Sequence, residues 1–166
     1  MTDPSLESIQ ESDNAIPAAA IMLNGGDVIF SEITYFSYEE GILVMQNPIK
    51  IQYIFTPEGE ITTSAPFMPY SDQTIFPIPI EEVLVFSPLD EFFTRFYGSS
   101  LMRFAIQREK RNISLKGQGN GMTEALANLH NVKKTLEEKY GFVPAENEIG
   151  DESDQIQNLE RKKVLH

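Results

Sequence analysis

Short apolar runs, each closed by turn-forming residues, fill the chain between Ala18 and Pro88. They alternate at close intervals with Gly, Asn, Asp and Pro, and β-branched and aromatic side chains are frequent within them. Short strands separated by such residues are typical of a small, strongly bent antiparallel sheet. The pattern predicts four or five strands, drawn from the following six apolar runs: residues 18–24, 28–36, 42–55, 61–65, 74–80 and 83–86.

The turn residues predict where this sheet bends. Asn24–Asp27 contains two glycines, which supply the positive-φ positions of a tight hairpin, and Tyr38–Gly41 turns the chain again. Asn47–Pro48 falls inside a predicted strand, and a proline within a strand belongs at an edge, a bulge or a bend. A bend in mid-strand favours a sheet that wraps into a barrel over a flat sheet.

Two prolines mark one strand edge. Pro77 and Pro79 lie two residues apart, so their missing N–H groups fall on the same edge of the strand that holds them. That edge must face solvent or a partner that needs no donors there.

Helical patterns follow the sheet. The segment Ser87–Glu91 has the proline and the acids expected at a helix start, and we expect the aromatic face over residues 89–97 to pack across the mouth of the barrel. Residues 117–121 are rich in glycine and predict a linker. A second helix is predicted from Thr123 to Tyr140, and Gly141 ends it. Its apolar stripe is Met122, Leu126, Leu129, Leu136 and Tyr140.

These patterns divide the chain into four segments. Residues 1–15 form a flexible acidic segment, 16–97 the β domain, and 98–121 a basic helix end with the glycine-rich linker. Residues 122–166 form a C-terminal helical arm. The arm has three open roles: docking back on the assembly, pairing with a neighbour as a coiled coil, or binding in a groove of another protein.

Charge is distributed unevenly along the chain. The net charge is −12, and residues 16–100 carry eleven acidic side chains against Lys50 and Arg95. The predicted β domain therefore repels phosphate. The chain has no cysteine, which excludes disulfides and thiolate metal sites, and no apolar run approaches the roughly 20 residues of a bilayer span. With no secretory signal pattern at Met1, composition predicts a soluble intracellular protein without membrane contact.

No residues with catalytic or metal-binding spacing emerge. His130 and His166 are the two histidines, and they lie far apart with no acids at ligand spacing. Adjacent acids such as Glu39–Glu40 and Glu81–Glu82 would point to opposite faces of a strand. Residues 117–121 lack the preceding strand and the Lys-Ser/Thr pair of a phosphate loop. We therefore expect no enzymatic activity, no cofactor and no metal.

A basic stretch follows the predicted start of the first helix. It can bind nucleic acid or an acidic partner surface. It can also be a solvated helix end whose cations complement the helix dipole, or pair with the acidic β domain of its own assembly. The last two are favoured, because few bases are available for a phosphate-contact surface. Its residues are Arg103, Arg108, Lys110, Arg111 and Lys116, opposed by Glu109.

The order of these segments resembles the Sm-like (Lsm) proteins of bacteriophages, notably those of the cyanophage type. The resemblance covers residues 16–97: a hairpin with an Asn-Gly turn, a bent strand with Asn-Pro, and a short last strand that runs into a helix. The matching pieces are Met22–Gly25, Asp27–Ile33, Gln46–Ile51, Phe67–Tyr70, Ile78–Val83 and Ser87–Asp90.

The resemblance implies a mainly β fold: a five-stranded, strongly bent antiparallel barrel with a C-terminal helical extension. It also implies a closed ring of subunits, in which the fourth strand of one subunit pairs with the fifth strand of its neighbour. That pairing would cover strand edges that are otherwise open to aggregation. A barrel this small also has a thin core, which oligomerisation can stabilise.

RNA binding carries over from the family less well. Cellular Sm-like proteins present an Asp/Asn-containing loop after the second strand and an Arg-Gly pair between the fourth and fifth strands. This chain has Tyr38–Gly41, with Glu39 and Glu40, at the first position and Ile80–Glu82 at the second. Tyr38 can stack on a base, but carboxylates beside each pocket oppose a polyanion.

The sequence thus predicts a ring-forming Sm-like phage protein that serves as a non-enzymatic assembly platform. The alternative is a virion structural or morphogenesis component that uses the same ring. The expected partners are further copies of the chain and a protein bound through residues 122–166, with nucleic acid left open through Tyr38 and the basic stretch. The expected location is the cytoplasm of the infected bacterium, or the virion.

Overall fold

A computed structural model describes residues 15–116 and 120–141. The chain divides into two compact units between Tyr97 and Gly98, and each unit is described by itself. The predicted N-terminal segment, except Ala15, and residues 142–166 of the predicted arm lie outside the described residues, as do residues 117–119 of the predicted linker.

Strands fill the first unit and helices the second. The described elements are β1 (Ile16–Leu23), β2 (Val28–Ser37), β3 (Ile42–Thr56), β4 (Gly59–Pro66), β5 (Ile75–Pro79), a 3-10 turn (Ile80–Glu82), β6 (Val83–Pro88), α1 (Glu91–Lys116) and α2 (Asn120–Tyr140).

The strands form one antiparallel sheet in the order β4–β3–β2–β1–β6, with β5 beside β4 along the same edge of β3. Residues 42–46 of β3 pair with β5, and residues 49–56 pair with β4. The expected mainly β class is confirmed. The described strands number six where four or five were expected, because each of the six apolar runs forms a strand of its own.

One hydrophobic core gathers side chains from both ends of the strand order. Phe76 of β5 lies in this core, and Val83 and Phe86 of β6 pack against it. The ring of Phe36 meets that of Phe86 edge-on, with centroids 5.2 Å apart. End strands that share a core require the sheet to curl around it. The core is completed by Ile16, Ala19, Ile21, Ile29, Ile33, Leu43 and Met45.

A β-bulge interrupts β3 at the predicted bend. Phe30 pairs with Ile49 and Glu32 pairs with Gln46, so Ser31 alone stands opposite Asn47–Pro48. The extra residue changes the face on which the following side chains lie. Before the bulge, Met45 points into the hydrophobic core. After the bulge, Ile49 lies on the same face of the sheet as Phe30, its cross-strand partner.

The bulge is also the point where β3 exchanges one partner strand for the other. The N–H of Asn47 donates to the carbonyl of Thr74, 2.7 Å away, immediately before β5. The carbonyl of Pro48 accepts from the N–H of Phe67, 3.4 Å away, immediately after β4. Both ends of the loop 67–74 are therefore fastened to the bulge.

Tyr97 supplies hydrogen-bond partners for backbone groups that the bulge removes from the regular β ladder. Its side chain has no solvent exposure. Its hydroxyl accepts from the N–H of Glu32 at 3.2 Å and faces the carbonyl oxygens of Gln46 and Asn47 at 3.2 and 2.8 Å. Buried backbone groups need partners, so a single phenol here satisfies groups on both strands that flank the bulge.

The first turn of α1 positions this tyrosine. Asp90 caps the helix, because its carboxylate accepts from the N–H of Phe93 at 2.8 Å. The rings of Phe93 and Phe96 then lie edge-on to Phe30, with centroids 5.8 and 6.2 Å apart. The predicted aromatic face thus packs on the sheet side that carries Phe30, while Phe92 remains 71% exposed.

The second unit contains the rest of α1 and all of α2. Residues of both helices line one small cavity near their connection, with Glu109 and Asn112 on α1 facing Glu124 and Asn128 on α2. Helix α2 begins at Asn120, three residues before the predicted start, and ends where expected, with Gly141 at φ 63°. Its buried residues are Met122, Ala125, Leu136 and Tyr140.

We predict that Tyr97→Phe destabilises the first unit by about 1–3 kcal/mol, because removing the hydroxyl leaves buried backbone groups at the bulge unpaired. The measurement is urea unfolding at a fixed protein concentration. Tyr70→Phe is the control, since Tyr70 is 97% exposed and its change should stay within about 0.5 kcal/mol. Equal effects of the two substitutions would show that the Tyr97 hydroxyl does not stabilise the bulge.

A second prediction concerns the backbone of Asn47, which has φ 53°. Left-handed backbone costs an ordinary residue roughly 1–2 kcal/mol and glycine almost nothing. We expect Asn47→Ala to be less stable than Asn47→Gly by about 1 kcal/mol, although both variants remove the same side chain. Urea midpoints of the two variants test this, and an alanine variant as stable as the glycine variant would contradict it.

Candidate functional site

Tyr38, the candidate base-stacking residue, lies in the turn after β2. Its side chain is 53% exposed, and its ring packs edge-on to Phe36 with centroids 5.9 Å apart. The turn is closed by the N–H of Glu40, which donates to the hydroxyl of Ser37 at 3.1 Å. Tyr38 is therefore accessible, but the exposed carboxylates of Glu39 and Glu40 follow it directly.

The same turn is electrostatically negative. The phenol of Tyr35 donates to a carboxylate oxygen of Glu40 at 2.9 Å. This hydrogen bond raises the pKa of Tyr35 above its ordinary value, and the charges of Glu40 and Glu39 act in the same direction. Glu39 and Glu40 are both exposed at this turn, and their negative charges repel phosphate, so this turn is unfavourable for RNA.

The predicted basic residues are spread around α1. Arg103 and Lys110 lie on one side of the helix, whereas Arg108 and Arg111 lie further round, at 100° per residue. The guanidinium of Arg103 lies over the ring of Phe104, 5.1 Å from its centroid. Lys116 is the last residue of the helix, and its side chain lies outside the described part. These cations do not form one continuous stripe.

Tyr38 belongs to the first unit and the basic residues to the second, so they are two separate candidates. Across residues 15–116 and 120–141, no three His, Cys, Asp or Glu side chains are grouped as a metal site requires. No helix in those ranges has the length and apolarity to cross a bilayer.

The outer edge of β5 carries few hydrogen-bond donors. Thr74 and Ile80 direct their backbone groups toward β3, since the carbonyl of Thr74 accepts from Asn47 and the N–H of Ile80 donates to Gly41. Strand residues alternate in direction, so Ile75, Pro77 and Pro79 face away from β3.

That edge presents mostly acceptors. Neither proline has an N–H, and the carbonyl of Ile75 already accepts from the side chain of Gln73 at 2.6 Å. The carbonyl of Pro79 opens the 3-10 turn Ile80–Glu82, so the groups left for a partner are the N–H of Ile75 and the carbonyl of Pro77. The sequence placed both prolines on one edge, and the backbone directions identify it as the edge that faces away from β3.

The outer edge of β6, at the opposite end of the strand order from β4 and β5, is also unpaired among the described strands. The N–H of Leu89 donates to Ala18 of β1, so Phe86 directs its N–H and carbonyl away from β1. Beside this edge, Leu84 and Val85 are 64% and 54% exposed. Sequence reasoning missed these two side chains, because in an apolar run of four nothing shows which members face outward.

The β3–β4 hairpin is a further exposed apolar surface that sequence reasoning missed. Tyr53, Ile54, Phe55 and Ile61 are each at least half exposed, and Phe55 reaches 82%. The signal was present in the sequence, since three successive large apolar residues just before a turn place apolar side chains on both faces of a strand.

No family model matches the chain, and no curated protein matches it at a significant level. The resemblance to the Sm-like proteins therefore stays a prediction.

The electrostatics of the Tyr38 turn can be tested by titration. The hydrogen bond to Glu40 raises the pKa of Tyr35 in the folded protein, so it stabilises the fold fully at a pH below the ordinary tyrosine pKa. This stabilisation is lost as the pH rises through the raised pKa. Ultraviolet difference titration of wild type against Tyr35→Phe isolates this phenol among the six tyrosines. Glu40→Gln should lower its pKa, and an unchanged titration in that variant would contradict the assigned cause.

Proposed function

We propose that this chain is a Sm-like protein of the bacteriophage type, which assembles into a closed ring of identical subunits and acts as a non-enzymatic assembly platform. The observation that carries the proposal is the strand order, which leaves unpaired the outer edges of β4 and β5 at one end and of β6 at the other. Unpaired edges bind other strands readily, and a sister copy is the partner that the resemblance implies.

The strand order suits that resemblance. β4 and β5 both pair with β3, so together they occupy the place of one long fourth strand that the loop 67–74 interrupts. β6 then occupies the place of the fifth strand. The fourth and fifth places are the two ends of the strand order, where a ring of Sm-like subunits would pair neighbours.

The two edges are unlike one another, so a contact between them joins different surfaces of neighbouring subunits. Such a head-to-tail contact gives a ring when its rotation closes. The N–H of Phe86 can donate to the carbonyl of Pro77, but the prolines return no donors. Because this ladder is short, burial of exposed apolar side chains such as Leu84 and Val85 must supply much of the association energy.

RNA binding is a minor part of the proposal. The turn at Tyr38 carries two carboxylates, and the first unit between residues 16 and 97 holds eleven acids against two bases. Any contact through Tyr38 or the α1 cations is expected to be weak and to fall steeply with salt.

The assembly is tested by native mass spectrometry and light scattering. We expect the wild type to form one closed oligomer, and the double variant Leu84→Lys, Val85→Lys to raise its dissociation constant by at least about tenfold, because buried lysines at the edge are costly. Tyr70→Lys, in the exposed loop between β4 and β5, is the matched control and should leave the oligomer intact. A wild type that stays monomeric at high concentration would refute the ring.

A further inference from the structure

The β3–β4 hairpin tip bears one face that combines aromatic and acidic side chains. Phe55 stands directly opposite Glu60, and Tyr53 lies on the same face because it is two residues from Phe55. Tyr53 and Phe55 are 54% and 82% exposed, and Glu60 is exposed as well. We call Tyr53, Phe55 and Glu60 the hairpin face.

An exposed two-stranded hairpin with large apolar side chains on its faces is unusual in water. Isolated hairpins are marginally stable, and exposed apolar patches generally mark interaction sites. The hydroxyl of Thr56 donates to the carbonyl of Gly59 at 2.8 Å, so the turn itself is well closed. The exposure therefore belongs to an ordered element.

Charge restricts what can bind the hairpin face. Glu60 is its charged residue, Glu58 lies in the adjoining turn, and residues 51–64 contain no Lys or Arg. Phosphate backbones are repelled by such a surface despite its aromatic rings. A second hairpin face would bring the same carboxylates together. The complementary surface must be apolar and basic.

Helix α1 carries such a surface. Arg108, Arg111 and Leu115 recur at i, i+3 and i+7 and so share one face of the helix. All three are exposed, with Leu115 at 84%, and within the described residues neither arginine has a carboxylate in ion-pair distance. We call these residues the arginine face.

The hairpin face and the arginine face match in the spacing of their side chains as well as in charge. Side chains at i and i+4 on a helix, here Arg111 and Leu115, lie about 5–6 Å apart. Directly opposed residues of an antiparallel pair, here Phe55 and Glu60, lie about 4.5–5.5 Å apart. Phe55 can therefore contact Leu115 while Glu60 pairs with Arg111.

We infer that the hairpin face of one copy of this chain docks on the arginine face of a second copy. This contact uses side chains on a face of the hairpin, whereas the proposed ring pairs backbone groups at strand edges, so the two contacts are different in kind even though Glu60 belongs to β4. It joins unlike surfaces, so each copy offers one of each kind.

Single-cysteine variants test this contact directly, because the chain contains no cysteine of its own. Glu60→Cys and Arg111→Cys are prepared separately, mixed and mildly oxidised. Neither variant holds both cysteines, so a mixed disulfide forms only between copies. We expect it to form several-fold faster than the mixed disulfide of Glu60→Cys with Lys134→Cys, an exposed basic position on α2 that serves as the matched control. Equal rates, or a predominance of Glu60→Cys disulfides with themselves, would overturn the inference.

Charge reversal provides a second measurement. Glu60→Lys and Arg111→Glu should each weaken self-association about tenfold, and their combination in one chain should restore it, since the pair is then reversed in every contact. No restoration would contradict the pairing. Repeating the cross-link in the Leu84→Lys, Val85→Lys background separates this contact from the proposed ring. A cross-link that is retained when the ring is lost supports this contact alone. An intact wild-type ring without the cross-link overturns this contact and leaves the ring proposal standing.

Discussion

The bulge at Asn47–Pro48 is the constraint on which the β unit depends. At this point β3 changes its register against β2, switches its side chains from one face to the other, and exchanges β5 for β4 as its partner. Each change interrupts a regular ladder, and buried backbone groups tolerate interruption only when other partners satisfy them. The hydroxyl of Tyr97, fixed by the first turn of α1, does so for both strands. A residue outside the sheet thus determines whether the sheet can bend.

Local chemistry made part of this fold predictable. Asn24–Asp27 predicted a hairpin turn, and Gly26 has φ 91° there. Asn47–Pro48 predicted a bulge or bend, and the bulge is present. The pairing of β4 and β5 along one edge of β3 was not predictable, because it depends on contacts between residues distant in the chain, such as Asn47 with Thr74. Tyr97 looked like one more member of an aromatic face, since periodicity describes burial and carries no information on hydroxyl partners.

The candidate sites divide in the same way. Tyr38 and the α1 cations were visible as residue types, and the structure adds that the carboxylates beside Tyr38 are exposed and that the cations are spread around a helix. The exposed Leu84, Val85 and Phe55 were not separable from core residues by composition. An apolar side chain in a strand faces the core or a partner, and only the strand order decides between these.

The anchored loop 67–74 gives the fold a place that tolerates alteration. Its two ends are held at the bulge, while Tyr70 near its middle is almost fully exposed. Lengthening a surface loop whose ends are fixed costs little free energy, because the closure entropy grows only slowly with loop length. A reporter tag or a foreign peptide grafted at this position would be displayed on the surface without altering the strand pairing on either side.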